Sequence, residues 1–128
     1  MEIEITAALE DMPGYVSFRC PYGSASAKWE GSSPAAPGVY HVEIELSDVI
    51  VGWQVEPELP AIDQRIRQDA DGAVIVGVVE GIGEDGVINY RVESDVLLIE
   101  LEEKGEIVHL GDVLSVRPEH MLLYPYSL

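Results

Sequence analysis

The stretch Glu80-Gly81-Ile82-Gly83-Glu84-Asp85-Gly86-Val87-Ile88-Asn89-Tyr90-Arg91-Val92-Glu93 decides between two kinds of protein. Its first half carries the spacing G-x-G-x-x-G behind an apolar run, Ala73 to Val79, which is the outline of a dinucleotide-binding turn. That turn works only when a helix follows, because the helix's N-terminal amides must meet the pyrophosphate. Here the residues after Gly86 alternate and are β-branched or aromatic, and Glu84 and Asp85 stand where phosphate would lie. The stretch therefore reads as two strands joined by an Asp-Gly hairpin turn. With that motif removed, the sequence carries no catalytic signature.

Working outward, nearly every apolar segment repeats with period two between Gly, Pro, Asp or Ser, the pattern of short half-buried antiparallel strands. Strands are predicted near 2–8, 15–20, 39–53, 73–81, 87–93, 96–102, 113–117 and 120–124. The long 39–53 segment should bend or bulge at Ser47-Asp48 or Gly52. The only helical candidate is Pro60 to Asp69, where Ile62 and Ile66 stand four apart; a ten-residue helix and an irregular excursion both fit. The run Asp69-Ala70-Asp71-Gly72 ends it in a turn.

Many strands and at most one short helix predict an all-β fold: a small antiparallel barrel of the OB-like Greek-key kind, since closure removes exposed edges. An SH3-like barrel and a β-sandwich are the alternatives, because the helical candidate does not fall between the third and fourth strands. One domain covers the whole chain. Within it, residues 1–30 read as an N-terminal hairpin extension, 31–38 as a Pro/Gly/Ser loop and 39–124 as the barrel, with 113–117 and 120–124 as its closing strand pair.

The 128 residues are 47% hydrophobic, so the chain folds, yet 24 acids against 7 Lys and Arg give a net charge of −17. Such a surface repels phosphate backbones and anionic lipid, which argues against nucleic acid and membrane partners and for a basic protein. The same charge also serves solubility, as in many bacterial cytosolic proteins. The single Cys20 forms no intramolecular disulfide, and no export signal or membrane-length apolar run is visible, so a cytoplasmic protein, monomer or homodimer, is expected.

Glu-apolar-Glu occurs at Glu2-Ile3-Glu4, Glu43-Ile44-Glu45 and Glu100-Leu101-Glu102, and strand alternation sends the carboxylates outward and the aliphatic side chains inward. If strands 96–102 and 39–46 are neighbours, Glu43, Glu45, Glu100, Glu102 and Glu103 merge into a negative face able to steer a cationic partner. The expected function is non-enzymatic protein binding, of the kind shown by an immunity or inhibitor protein that neutralises a basic toxin such as a nuclease. The alternative is a small-ligand barrel, for a sugar or metabolite, with an aromatic mouth of Trp53, Tyr40 and Tyr90.

No cofactor or metal is expected. Asp69, Asp71 and Glu80 fit the first, third and twelfth places of a calcium loop, but Val74 occupies the glycine position and Ala73 the fifth. His41, His109 and His120 are too widely spaced for a local zinc motif. The loop serines at 24, 26, 32 and 33 lack a nucleophile-elbow frame, and nothing points to hydrolase chemistry.

Overall fold

The computed structural model describes residues 1–32 and 35–127. Eleven strands form one sheet: β1 (Glu2–Ala8), β2 (Tyr15–Cys20), β3 (Gly23–Trp29), β4 (Gly38–Ser47), β5 (Gly52–Glu56), β6 (Ile66–Asp69), β7 (Gly72–Ile82), β8 (Ile88–Val92), β9 (Asp95–Ile99), β10 (Val113–Arg117) and β11 (His120–Pro125). The Glu80 to Glu93 stretch is a hairpin, with β7 and β8 paired up to Ile82 opposite Ile88. Gly86 turns the chain at a φ of 84°, which an L side chain rarely adopts, and Asp85 Oδ1 accepts the amide of Val87 at 3.0 Å.

The all-β barrel expected from the periodicity is present. β1, β2 and β3 form a meander, β4 returns to lie beside β1, and β11 enters between β4 and β3, antiparallel to the first and parallel to the second. Three consecutive strands with a fourth beside the first make a Greek key, and the β11–β3 pairing closes it into a five-stranded ring. Among the described residues no helix separates β3 from β4.

Five of the remaining six strands repeat this plan, and the sixth, β6, lies between β3 and β7. β7, β8 and β9 form a second meander, β10 lies beside β7, and β5 pairs with β10. Just ahead of β5, Ile50 makes a parallel bridge to Leu101, just beyond β9, and so closes a second ring. In each ring the first meander strand carries a register irregularity, between Ile5 and Ala7 or between Val79 and Gly81. Each ring also centres on a buried aromatic opposite an equivalent aliphatic: Phe18 faces Ile5, and Tyr90 faces Val79.

The two halves of the chain thus run meander, fourth strand, fifth strand, but their fifth strands are exchanged. β5 from the first half completes the second ring, and β11 from the second half completes the first. The chain crosses between rings at 48–51 and again at Pro118-Glu119. A local echo survives in the sequence, Gly14-Tyr15-Val16-Ser17-Phe18-Arg19 against Gly86-Val87-Ile88-Asn89-Tyr90-Arg91. Both glycines sit at positive φ, and Arg19 and Arg91 each reach a Glu of the adjoining strand, Glu4 and Glu80, at 2.7 Å.

Three expectations are corrected. Residues 1–30 are not an extension: they supply three of the five strands of the closed ring. The missed strand is β3, Gly-Ser-Ala-Ser-Ala-Lys-Trp, whose small inward residues Ala25 and Ala27 give almost no hydrophobic signal. Strands 113–117 and 120–124 do not pair with each other, because Arg117-Pro118 favours an extended path that carries the chain from one ring into the other. The 60–69 helix is a three-residue 3-10 turn, Ile62–Gln64, followed by β6. Ile66 is buried while Ile62 is half exposed, so the two do not share a face; pairing with β7 satisfies this backbone better than so short a helix would.

One continuous apolar cluster runs through both rings, from Ile5, Phe18, Val42 and Leu123 to Val79, Tyr90, Ile99 and Leu114. Gly77 is a requirement of that packing. A Cβ there would lie 2.5 Å from the Arg91 carbonyl oxygen and 2.8 Å from the Tyr90 ring. No helix among the described residues is long and apolar enough to cross a membrane.

Candidate functional site

The predicted strand faces are correct where they can be checked. Glu43 and Glu45 are exposed with Ile44 and Leu46 buried between and beside them, and Glu100 and Glu102 are exposed around a half-buried Leu101. Strands 95–99 and 38–47 do approach each other, with Glu43, Ile44, Asp95, Val96 and Leu97 around one hollow and the terminal amine 3.4 Å from Asp95. The five carboxylates nevertheless do not line a single cavity. Glu45 lies on the β4–β11 pair beside Tyr124, whose phenol is raised by its local desolvation and by the negative charge of Glu45 and Glu30.

Glu100, Glu102 and Glu103 belong elsewhere, to the seam that closes the second ring. The chain leaving β9 runs past Ile50, whose amide donates to Glu100 O at 2.8 Å and whose carbonyl accepts from the Glu102 amide at 2.9 Å. Trp53 Nε1 donates to Glu102 O at 2.9 Å, and Lys104 places its ammonium 4.5 Å from the centre of the Trp53 ring while donating to the carbonyls of Val51 and Trp53. These contacts hold residues 100–104 along the outer edge of β5. They leave the carboxylates free.

Beside this seam opens a cup of about 320 Å³. Its apolar lining is Trp53, Ile82, Ile88, Leu101 and Val108, and its acids are Asp85, Glu100, Glu102, Glu103 and Glu106. No described basic residue makes an ion pair with any of these five acids. Arg19, Lys28, Arg65, Arg91 and Arg117 are committed to Glu4, Glu30, Glu93, Glu80 and Asp69 respectively, and Lys104 to backbone carbonyls. The cup is a negative, partly apolar recess without an internal counter-ion. Asp85 enters it from the hairpin turn and was legible only as a turn residue; no local pattern connects it to Glu106.

The aromatic mouth is not formed. Tyr90 is 0% exposed, and its hydroxyl is shared between the carbonyl oxygens of Ile75 at 3.0 Å and Leu114 at 2.8 Å. Burial pushes its phenol well above the ordinary range. Tyr40 stacks edge-on against Trp29 at 5.0 Å and donates to Ala36 O, while Trp53 is buried beneath Lys104. The three rings answer to packing, since each needs its polar atom satisfied where its body is covered.

A larger hollow, about 550 Å³, lies between the two rings, with Ser26 on one side and Gln68, Ala73 and Arg117 on the other. The 9–15 turn contributes Leu9, Asp11, Met12 and Tyr15, while both crossing segments reach it through Val49, Val51 and Glu119. Close to it, Asp48, Glu119 and His120 bring their ligand atoms within 4.8 Å of one another. Sequence spacing did not reveal this group, because Asp48 comes from a different segment. No family model, curated protein or solved structure matches the chain.

Proposed function

We propose that this protein is a non-enzymatic binding module for a basic protein, with the acidic cup of the second ring as its recognition site. The observation that carries the reading is the cup itself, five carboxylates around an apolar lining with no basic side chain among the lining residues. An arginine or lysine of a partner matches both features, its aliphatic stem against Leu101, Ile82 and Val108 and its charged end among the carboxylates. Glu43 and Glu45 extend the negative field and contribute to encounter more than to the bound contact. A protein that covers the basic site of a toxin, as an immunity or inhibitor protein does, has this chemistry. A reducing cytoplasm suits the free, half-buried Cys20, whose thiol is raised by burial.

The test is association kinetics with the basic protein recovered by pull-down from the native host. Glu100→Gln/Glu102→Gln/Glu103→Gln should slow association about tenfold or more at low salt, with a flatter salt dependence than the parent. Equal rates and equal salt slopes would overturn the reading. Small-ligand binding is the second reading, favoured by the 550 Å³ hollow, whose size suits a metabolite. It predicts a bound small molecule in native mass spectra of the purified protein and no basic protein in the pull-down.

A further inference from the structure

We propose that Asp48, Glu119 and His120 bind one transition-metal dication, of which Zn²⁺ is the type, at the place where the two crossing segments meet. In the β4–β11 ladder Ser47 stands opposite His120, so the residue leaving β4 and the residue entering β11 are brought side by side. Asp48, the first residue beyond β4, takes a φ of 71°, where the strand ends. The result is one carboxylate oxygen from each acid and one imidazole nitrogen, all within 4.8 Å. In a tetrahedral shell, bonds of about 2.0–2.2 Å put donors about 3.3–3.6 Å apart, so the group closes by up to about an ångström on binding, which rotations of the exposed carboxylates supply.

Two further facts favour the assignment. The Asp48 carboxylate makes no hydrogen bond or ion pair, and the nearest charged partner of Glu119 is the His120 imidazole at 4.0 Å, so protein groups do not already occupy these donors. The chain carries 24 acids and 3 histidines, yet among the described residues only this group converges, which separates it from the general crowding of an acidic surface. The donor set selects the metal. An imidazole nitrogen with two carboxylates suits zinc and its first-row neighbours, whereas magnesium and calcium favour all-oxygen shells. Three protein ligands leave the fourth position to water, and the bound ion clamps one crossing segment to the other.

Calorimetric titration of the full-length protein with Zn²⁺ tests this. One site per chain is expected, with affinity lowered at least tenfold in Asp48→Asn and in His120→Gln. The double variant Glu58→Gln/Glu84→Gln removes acidic charge from exposed positions away from the group and should bind as the parent does. Saturating Zn²⁺ should raise the unfolding temperature of the parent and of that control, and of neither ligand variant. In the parent itself, Zn²⁺ should perturb the nuclear magnetic resonance signals of the His120 imidazole and leave those of His41 and His109 in place, a readout independent of whether the variants fold. Equal affinities in all four proteins, equal displacement of Zn²⁺ by Mg²⁺, or a perturbation spread over the three histidines would overturn the proposal.

Discussion

The two rings share one strand order and differ in how the last seam is made. In the first, β11 and β3 meet through a backbone ladder, Leu122 opposite Lys28 and Leu123 opposite Trp29. In the second, a single bridge at Ile50 and Leu101 is supplemented by side chains, the Trp53 indole on Glu102 O and the Lys104 ammonium on the carbonyls of Val51 and Trp53. A seam made by side chains runs along a strand edge without continuing the sheet, and its acids remain unpaired around the cup. Closure by ladder gives a sealed barrel. Closure by side chains leaves a recess.

The central aromatics offer the largest test of that comparison. Phe18→Ala and Tyr90→Ala each remove a fully buried ring and should cost about 3–5 kcal/mol in denaturant unfolding. Tyr90→Phe isolates the polar part, leaving the carbonyls of Ile75 and Leu114 without the hydroxyl, and should cost about 1–3 kcal/mol. A cost below about half a kcal/mol for Tyr90→Phe would show that the second ring does not depend on this tie.

A second test asks whether the exchange of fifth strands makes one unit of two rings. Trp29 reports on the first ring and Trp53 on the second. Single-tryptophan proteins, Trp53→Phe and Trp29→Phe, should each unfold with a fluorescence midpoint that coincides with the loss of their own far-ultraviolet dichroism. If the Trp53 signal moved first, the second ring would be an independently opening part.

The smallest effect belongs to the ion pair that ties β10 to β6 beside the second seam. Arg117 holds Asp69 through two bonds of 2.7 and 2.8 Å, and this arginine keeps the Asp69 carboxyl at about 2, below its usual value. A depressed carboxylate contributes stability above its unfolded value of about 3.9 and loses that contribution as pH falls through its folded value. The parent should therefore exceed Asp69→Asn slightly at neutral pH, and the difference should vanish as pH falls from about 4 to about 2. Both groups are solvent-exposed, so the difference stays small.

What could be read from the sequence follows from physical range. Alternation is local, so the faces of Ile44, Glu43 and Glu45, the bend at Ser47-Asp48 and the turn at Gly86 were all legible. β3 was not, since alanine and serine leave too little contrast between its faces. Partner choice was misjudged for the same reason that it decides the fold: Arg117-Pro118-Glu119 looks like a turn in one dimension and is a passage between rings in three. Glu100, Glu102 and Glu103 were picked out by their charge. Asp85, Glu106 and the hollow between them depend on contacts between segments far apart in sequence.

The exchanged strands also set an order in time. During synthesis from the N-terminus, β1 to β4 emerge together, but their ring waits for β11, after every other strand has been made. Until then the edges of β3 and β4 that β11 will cover stand open, and such unpaired edges recruit other chains. The second ring faces the opposite schedule, since β5 is present before its meander begins. Slow, non-local closure of this kind predicts a late folding step, and a nascent chain whose exposure to misassembly ends only when its last strand arrives.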